Sequence, residues 1–302
     1  MSQEVASPGT FGPASDSAGM LTQTARWFAT FARRKPMGFA GFVILAVIGL
    51  AATFAPLVTI YDYDQADFGA RLQGPTAAHW FGTDNLGRDL FSRIVYGARV
   101  SLGISLGAVV LAKTLATAVA LFTGFYGGWT DKIGQRFVDI WIALPRLIIL
   151  LTLIGLLGPS PFSMLVLVGL TNAPSSARLI RSVVVGVRAE PYVEAAVALG
   201  ASDRRIIFQH ILPNIMHMVI YSATVTLGAV ILIIASLGFL GYGIPPPAPD
   251  LGAMLSGNGM TFMRRNVWMA LWPGVTITLV VFAFNVVGDA LRDLLDPRMR
   301  GS

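Results

Sequence analysis

Cysteine is absent from the 302 residues. Without a thiol there is no disulfide framework, no thiolate metal site and no cysteine nucleophile. Charge is scarce as well. Asp, Glu, Lys and Arg together make up 13% of the chain, against about 25% in a soluble domain. Lysine occurs only at Lys35, Lys113 and Lys132, after Arg34, Ala112 and Asp131. A P-loop needs Gly-Lys followed by Ser or Thr, so that backbone amides cradle phosphate and the lysine reaches it. No such motif is present, so any nucleotide hydrolysis must occur on another polypeptide. The histidines His79, His210 and His217 show no metal-ligand spacing. No nucleophile–base constellation marks an enzyme, no cofactor is expected on this chain, and no period of 20–50 residues repeats.

What the chain does contain is apolar sequence in long runs, 54% hydrophobic overall. A hydrocarbon core of about 30 Å needs roughly 20 apolar residues in a helix. Six segments qualify: Phe39–Ile60, Ser101–Phe125, Phe137–Leu157, Phe162–Val187, Ile215–Leu240 and Val267–Val287. They are too long and too continuous for barrel strands. The expectation is an all-α membrane protein with six transmembrane helices in a lipid bilayer. The formal charge of +6 is read as loop topology and not as nucleic-acid binding. With the N-terminus inside, 14 lysines and arginines fall in inside segments and 6 in outside ones, which places both termini in the cytoplasm. Residues 1–25, rich in Ser, Gly, Ala, Thr and Pro, read as a disordered cytoplasmic tail with no signal-peptide core. Residues 26–98 are expected to hold an amphipathic segment, the first span and a periplasmic loop. Residues 99–302 are expected to form a five-helix core with an inside loop at 188–213.

That inside loop is amphipathic. Tyr192, Ala195, Ala196 and Leu199 fall at helical spacing. Glu190 and Glu194 sit where a helix start favours negative charge. Gly200 suits a left-handed helix end. Ser202 or Asp203 is placed to cap a second, basic helix, and Pro213 to interrupt the chain before the fifth span. Such a helix either lies on lipid headgroups or docks in a partner's groove, since small residues permit close approach.

The run EAAVALG, then nine residues, then HILP resembles the EAA loop of bacterial ABC-importer permeases. Glu194, Ala195, Ala196, Gly200, Leu212 and Pro213 match the pattern, while His210 stands where the general pattern has Ile. The segments FGTDNLGRDLFSRIVYGARVSL, ASLGFLGYGIPPPAPDLGAML and NVVGDALRDLLDPRMR are similar to blocks of the second, C-type permease subunit of the dipeptide/oligopeptide (and nickel) branch. The resemblance implies a type I ABC-importer permease fold, a homologous permease as partner, two ATP-binding subunits holding ATP and Mg at the coupling loop, and an extracytoplasmic substrate-binding protein. Peptides are the implied solute; nickel, another small solute or an ion-coupled secondary transporter are the alternatives.

Further residues are singled out. Asp84, Arg88 and Asp89, with Pro245, Pro246 and Pro247, are candidates for an outer gate or binding-protein contact. The competing reading of the first three is a turn and helix start, with Asp84 capping and Gly87 turning. Lys113, Asp139 and Arg146 lie inside spans, where ionisable residues call for a function or a partner. Asp139 and Arg146 are expected on one face of the third span. Gly103, Ser105, Gly107 and Ala108 are expected to line the path. Trp80, Trp129, Trp268 and Trp272 read as interfacial anchors.

Overall fold

The computed structural model describes residues 35–295. The tail expected at 1–25 and the arginines at 26, 33, 34, 298 and 300 lie outside them. Every regular element among the described residues is a helix. α1 (Pro36–Thr53) is followed by the single turn α2 (Ala55–Val58), and an outer loop leads to α3 (Leu90–Tyr126). α4 (Gly128–Ala143) and α5 (Arg146–Leu157) precede α6 (Pro161–Arg188) and the short α7 (Pro191–Ala198). α8 (Asp203–Tyr242) is one long helix. α9 (Leu251–Leu255) and α10 (Gly257–Phe262) are short, and α11 (Trp268–Leu295) closes the fold.

α1, α3, α8 and α11 are long and apolar enough to cross a membrane, and the bent pair α4/α5 makes a possible fifth span. α6 occupies the place of the fourth expected span. It is long enough but carries Thr171, Asn172, Ser175, Ser176, Arg178 and Arg181, and it is not among the helices that qualify by composition. Its start is fixed by a reciprocal capping box between Ser160 and Ser163.

α3 and α6 form the most extensive helix pair. A Cβ on Gly107 of α3 would lie 2.4 Å from Leu165 Cδ1, and one on Gly169 of α6 would lie 3.0 Å from Ala108 O. Glycine on each helix thus lets the other approach. Ser105 and Ala108 are buried in this packing. Gly107 and Ala108 therefore serve helix contact inside the chain, and the buried Ser105 and Ala108 do not line an open path, whereas an added Cβ on Gly103 would meet nothing within 4 Å. Buried side chains of α3, α5, α6 and α8 make the main core, including Leu150, Ile154, Met164, Val168, Val230 and Ile234. A second cluster at the other end joins Ala120, Ile180, Val184, Val193, Ile206, Ile211 and Ile215.

Three expectations are corrected. The second span starts at Leu90, not Ser101, because Asp89 caps it by accepting from Ser92 N at 2.8 Å. The third span does not keep Asp139 and Arg146 on one face. It bends by 83° at Leu144–Pro145, since Pro145 disfavours helical geometry in the residue before it. Asp139 and Arg146 consequently lie on different helices. Pro213 does not interrupt the chain before the fifth span. A π-helical stretch at Ile206–Ile211 precedes it and Pro213 sits in the first turn of the α-helix Leu212–Leu237, where a missing N–H is tolerated. Trp268 and Trp272 stack on each other and Trp272 on Phe81, at 5.6 and 4.1 Å between ring centroids. These contacts staple α11 to the outer loop.

Candidate docking loop and outer cleft

α7 is the centre of the inside loop. Glu190 stands at its N-cap without a side-chain cap bond, Pro191 fills the first turn, and Glu194 lies in that turn. Gly200 adopts φ +79° after the helix, as its sequence position suggests. Gly200 N and Ala201 N return to Val197 O and Ala196 O at 2.9 and 3.0 Å, which satisfies the last carbonyls of α7. Ser202 precedes α8 but makes no side-chain cap bond.

One residue decides how α7 is held. Val193 is 1% exposed and inserts between α6 and the start of α8, among Ile180, Val184, Ile206 and Ile211. The opposite face is bare. Tyr192, Glu194, Ala195 and Val197 are exposed, and Leu199 is 88% exposed. Burial, with the Glu190 carboxylate adding to it, pushes the Tyr192 phenol up from its ordinary value. It therefore remains a neutral hydroxyl near neutral pH. The stripe noted in the sequence thus points away from the chain. Of the matching residues, Leu212 and Pro213 belong to α8 and do not share the α7 face with Glu194, Ala195, Ala196 and Gly200.

Ion pairs tie the neighbouring helices together. Asp131 of α4 pairs with Arg181 of α6, and Asp139 of α4 with Arg178 of α6. Both carboxylates thereby attach the broken span to the helix that runs directly into α7. Sequence spacing gave no signal for either pair, whose members are 50 and 39 residues apart.

At the other end, a cleft of about 410 Å³ is lined in part by Asp84, Arg88, Arg93, Pro245, Pro246 and Asp250. The structure thus brings together two separate groups of sequence candidates. Asp84 accepts from Leu86 N at 2.8 Å, Arg88 N at 3.0 Å and Arg88 Nε at 2.7 Å. Gly87 turns with φ +77°. Asp84 therefore closes a loop and Asp89, not Asp84, caps the helix. Asp89 also receives His79 Nδ1 at 3.0 Å. Both carboxylates are committed to partners within the loop, while Pro245, Pro246 and Pro247 are exposed.

Sequence reasoning missed Asp250 and Asn266. The buried Asp250 carboxylate accepts from Gly252 N, Ala253 N and Ile244 N at 2.8 to 3.1 Å. An Asp before a short apolar run is a cap signal that was available. Asn266 donates to Gln73 O and Thr83 O, both at 3.0 Å, and joins the two outer loops. No local pattern marks it. Among the described residues no group of His, Cys, Asp and Glu is arranged to hold a metal ion.

These features define a helical inner-membrane permease component, and the chain belongs to the family of binding-protein-dependent transport system inner membrane components, whose model matches residues 116–301. The model for the N-terminal TM domain of oligopeptide transport permease C matches residues 27–75. The chain is 43% identical to the dipeptide transport system permease protein DppC of Alkalihalophilus pseudofirmus, covering 92% of each chain. It is 37% identical to the oligopeptide transport system permease protein OppC of Bacillus subtilis, over 89% of this chain and 88% of that one. It is 35% identical to the glutathione transport system permease protein GsiD of Pectobacterium atrosepticum, over 92% of both. The MetNI methionine ABC transporter in inward-facing form shares the fold, with a TM-score of 0.56 and 19% identity over 68% of this chain and 96% of that chain. The chain is thus a permease subunit of an ABC importer, with the type I permease fold, in the bacterial inner membrane.

Proposed function

We propose that this permease translocates di- and oligopeptides, with ATP and Mg held on two ATP-binding subunits that dock at Glu194–Gly200. A homologous permease completes the path, and an extracytoplasmic binding protein delivers the peptide to the outer loops. In this reading the chain spans the bilayer six times, with α6 as the fourth span and both termini in the cytoplasm. Residues 26–98 form an N-terminal unit and 99–302 the core. Asp84, Arg88, Asp89 and the rim Pro245–Pro247 shape the outer gate that meets the binding protein.

The observation that carries this reading is α7: fixed by Val193 on one side and bare on the other. A helix held in this way moves as a rigid body with α6 and α8. Closure of the ATPases would then be relayed through Arg181–Asp131 and Arg178–Asp139 to the broken span α4/α5. Peptide as solute rests on the relatives, which are named for dipeptide, oligopeptide and glutathione transport.

Two experiments test it. Because the chain lacks cysteine, Ser202→Cys is expected to react with an impermeant maleimide only from the cytoplasmic side and Ala248→Cys only from outside. Outside labelling at 202 would remove the docking loop from the reach of any ATPase. In proteoliposomes holding the full assembly, labelled dipeptides to pentapeptides are expected to enter only with ATP on the ATPase side and binding protein on the other. Uptake that survives without ATP and collapses with a proton ionophore would instead mark an ion-coupled carrier. ATP-driven nickel uptake without peptide uptake would replace the solute and keep the importer.

A further inference from the structure

Two cationic side chains converge on one turn of α6 and neither meets a carboxylate. Lys113 of α3 is 6% exposed, and its Nζ donates to Ser176 Oγ at 2.9 Å. Arg146, the first residue of α5 after the break in the span, donates from Nη1 to Asn172 Oδ1 at 3.0 Å and from Nη2 to Ser175 Oγ at 3.4 Å. The ion pairs among the described residues involve neither cation. Asp131 and Asp139, the carboxylates on the preceding helix, are taken by Arg181 and Arg178. One turn further along α3, Thr117 Oγ1 is buried and has no hydrogen-bond partner.

The depth of this group matters. At a rise of 1.5 Å per residue, Lys113 lies about 20 Å from the Tyr126 end of α3, and Ser176 about 18 Å from the Arg188 end of α6. With those helix ends at the headgroup layer, both groups lie inside a hydrocarbon core of about 30 Å. Ionisable groups at such depth are costly and mark pathways or pairings. Serine and asparagine satisfy hydrogen bonds but do not neutralise charge. A guanidinium keeps its charge. Arg146 therefore needs an anion. Arginine has five N–H donors in a fixed fork, and the neutral partners take only two, leaving donors for a ligand.

Resting on the peptide reading above, we propose that Arg146, with Lys113 behind it, forms a carboxylate subsite in the translocation path that receives the C-terminal carboxylate of the peptide. Every unmodified linear peptide carries that group, whatever its side chains. Recognition of it gives a path that is tolerant of sequence yet selective for peptides. The fork of arginine matches the two carboxylate oxygens. Asn172 and Ser175 act as positioning residues, because they hold the guanidinium at the break in the span.

The test uses the complete assembly in proteoliposomes and two forms of one tripeptide, with a free C-terminus or a C-terminal amide. Each is loaded to equal occupancy on the binding protein, checked by equilibrium dialysis. The wild type is expected to import the free acid about tenfold faster than the amide, the size of effect that loss of one charge-assisted hydrogen bond gives. Arg146→Gln is expected to bring the ratio of free-acid to amide import down to about one, while the two permeases stay associated on gel filtration. Arg146→Lys is expected to restore part of the preference, and Lys113→Gln to weaken it. Equal import of acid and amide by the wild type overturns the proposal while leaving peptide transport intact. Loss of both rates together in Arg146→Gln, or dissociation of the two permeases, also overturns it, because the charge then serves a structural pairing with the sister subunit. Import of neither peptide by the wild type removes the peptide reading and this subsite with it.

Discussion

Replacing Val193 with Asp is expected to cut transport per ATP hydrolysed by tenfold or more in the reconstituted assembly. Val193 is the buried residue of α7, and it packs among aliphatic side chains of α6 and α8. A carboxylate placed there loses its hydration without gaining a partner, at a cost of several kcal/mol. The cheapest relief is local: α7 leaves its seat while the spans remain packed. Since about 1.4 kcal/mol corresponds to a factor of ten, such undocking suffices to separate hydrolysis from movement. The ATPases should keep hydrolysing or fall off, and either way solute stays outside. Gly200→Val should act in the same direction with a smaller effect. An added Cβ meets no atom within 4 Å, and the positive φ of +79° opposes a β-branched residue. Wild-type transport by the Val193 variant would remove α7 from the coupling route.

The second large effect is expected at Gly252, in α9 between the cleft-lining residues Asp250 and Ala253. An added Cβ would lie 2.0 Å from Ala235 O and 2.7 Å from Ala235 C, both backbone atoms of α8. Backbone cannot swing aside as a side-chain tip does, so α9 must move away from α8. That movement also strains the bonds from Gly252 N and Ala253 N to Asp250. Overpacking of this kind costs about 1–3 kcal/mol or more. Gly252→Ala should therefore lower the melting temperature of the detergent-solubilised assembly by roughly 5 °C or more. Gly103→Ala is the matched control. Nothing lies within 4 Å of its Cβ, and Ala favours a helix more than Gly does, so its melting point should hold or rise. Equal melting points for the two variants would mean that the α8–α9 contact is looser than the structure has it.

Several features were legible in the chain because their causes are local. Apolar runs long enough for a bilayer gave α1, α3, α8 and α11, since hydrocarbon admits only backbone that satisfies itself. The α7 turn was legible too, because Pro191, Glu194 and Gly200 each act within one or two helical turns. The kink at Pro145 was visible as a proline, although its 83° angle was not. The sequence pointed to a kink there but still put Asp139 and Arg146 on one helix face. Pro213 misled in the opposite direction. Read alone it predicts a stop, whereas the π stretch before it lets the helix pass through.

By itself the sequence determined that this protein lives in a membrane, that it holds no P-loop, and that a Gly-ended helix lies between two spans. Those outcomes follow from composition and short-range stereochemistry, which need no knowledge of what packs on what. Only the tertiary structure decided that Val193 is the anchor and Leu199 the bare face, and that Asp131 and Asp139 are spent on Arg181 and Arg178. It also decided that Gly107 and Ala108 of α3 serve contact with α6, and that Lys113 and Arg146 meet on one turn of α6 without a carboxylate. The reason is one of range. Helical periodicity says which residues share a face, but the burial of that face and the partner of each charge depend on residues 26 to 63 positions away. No window of sequence shorter than the helix pairs themselves contains that information.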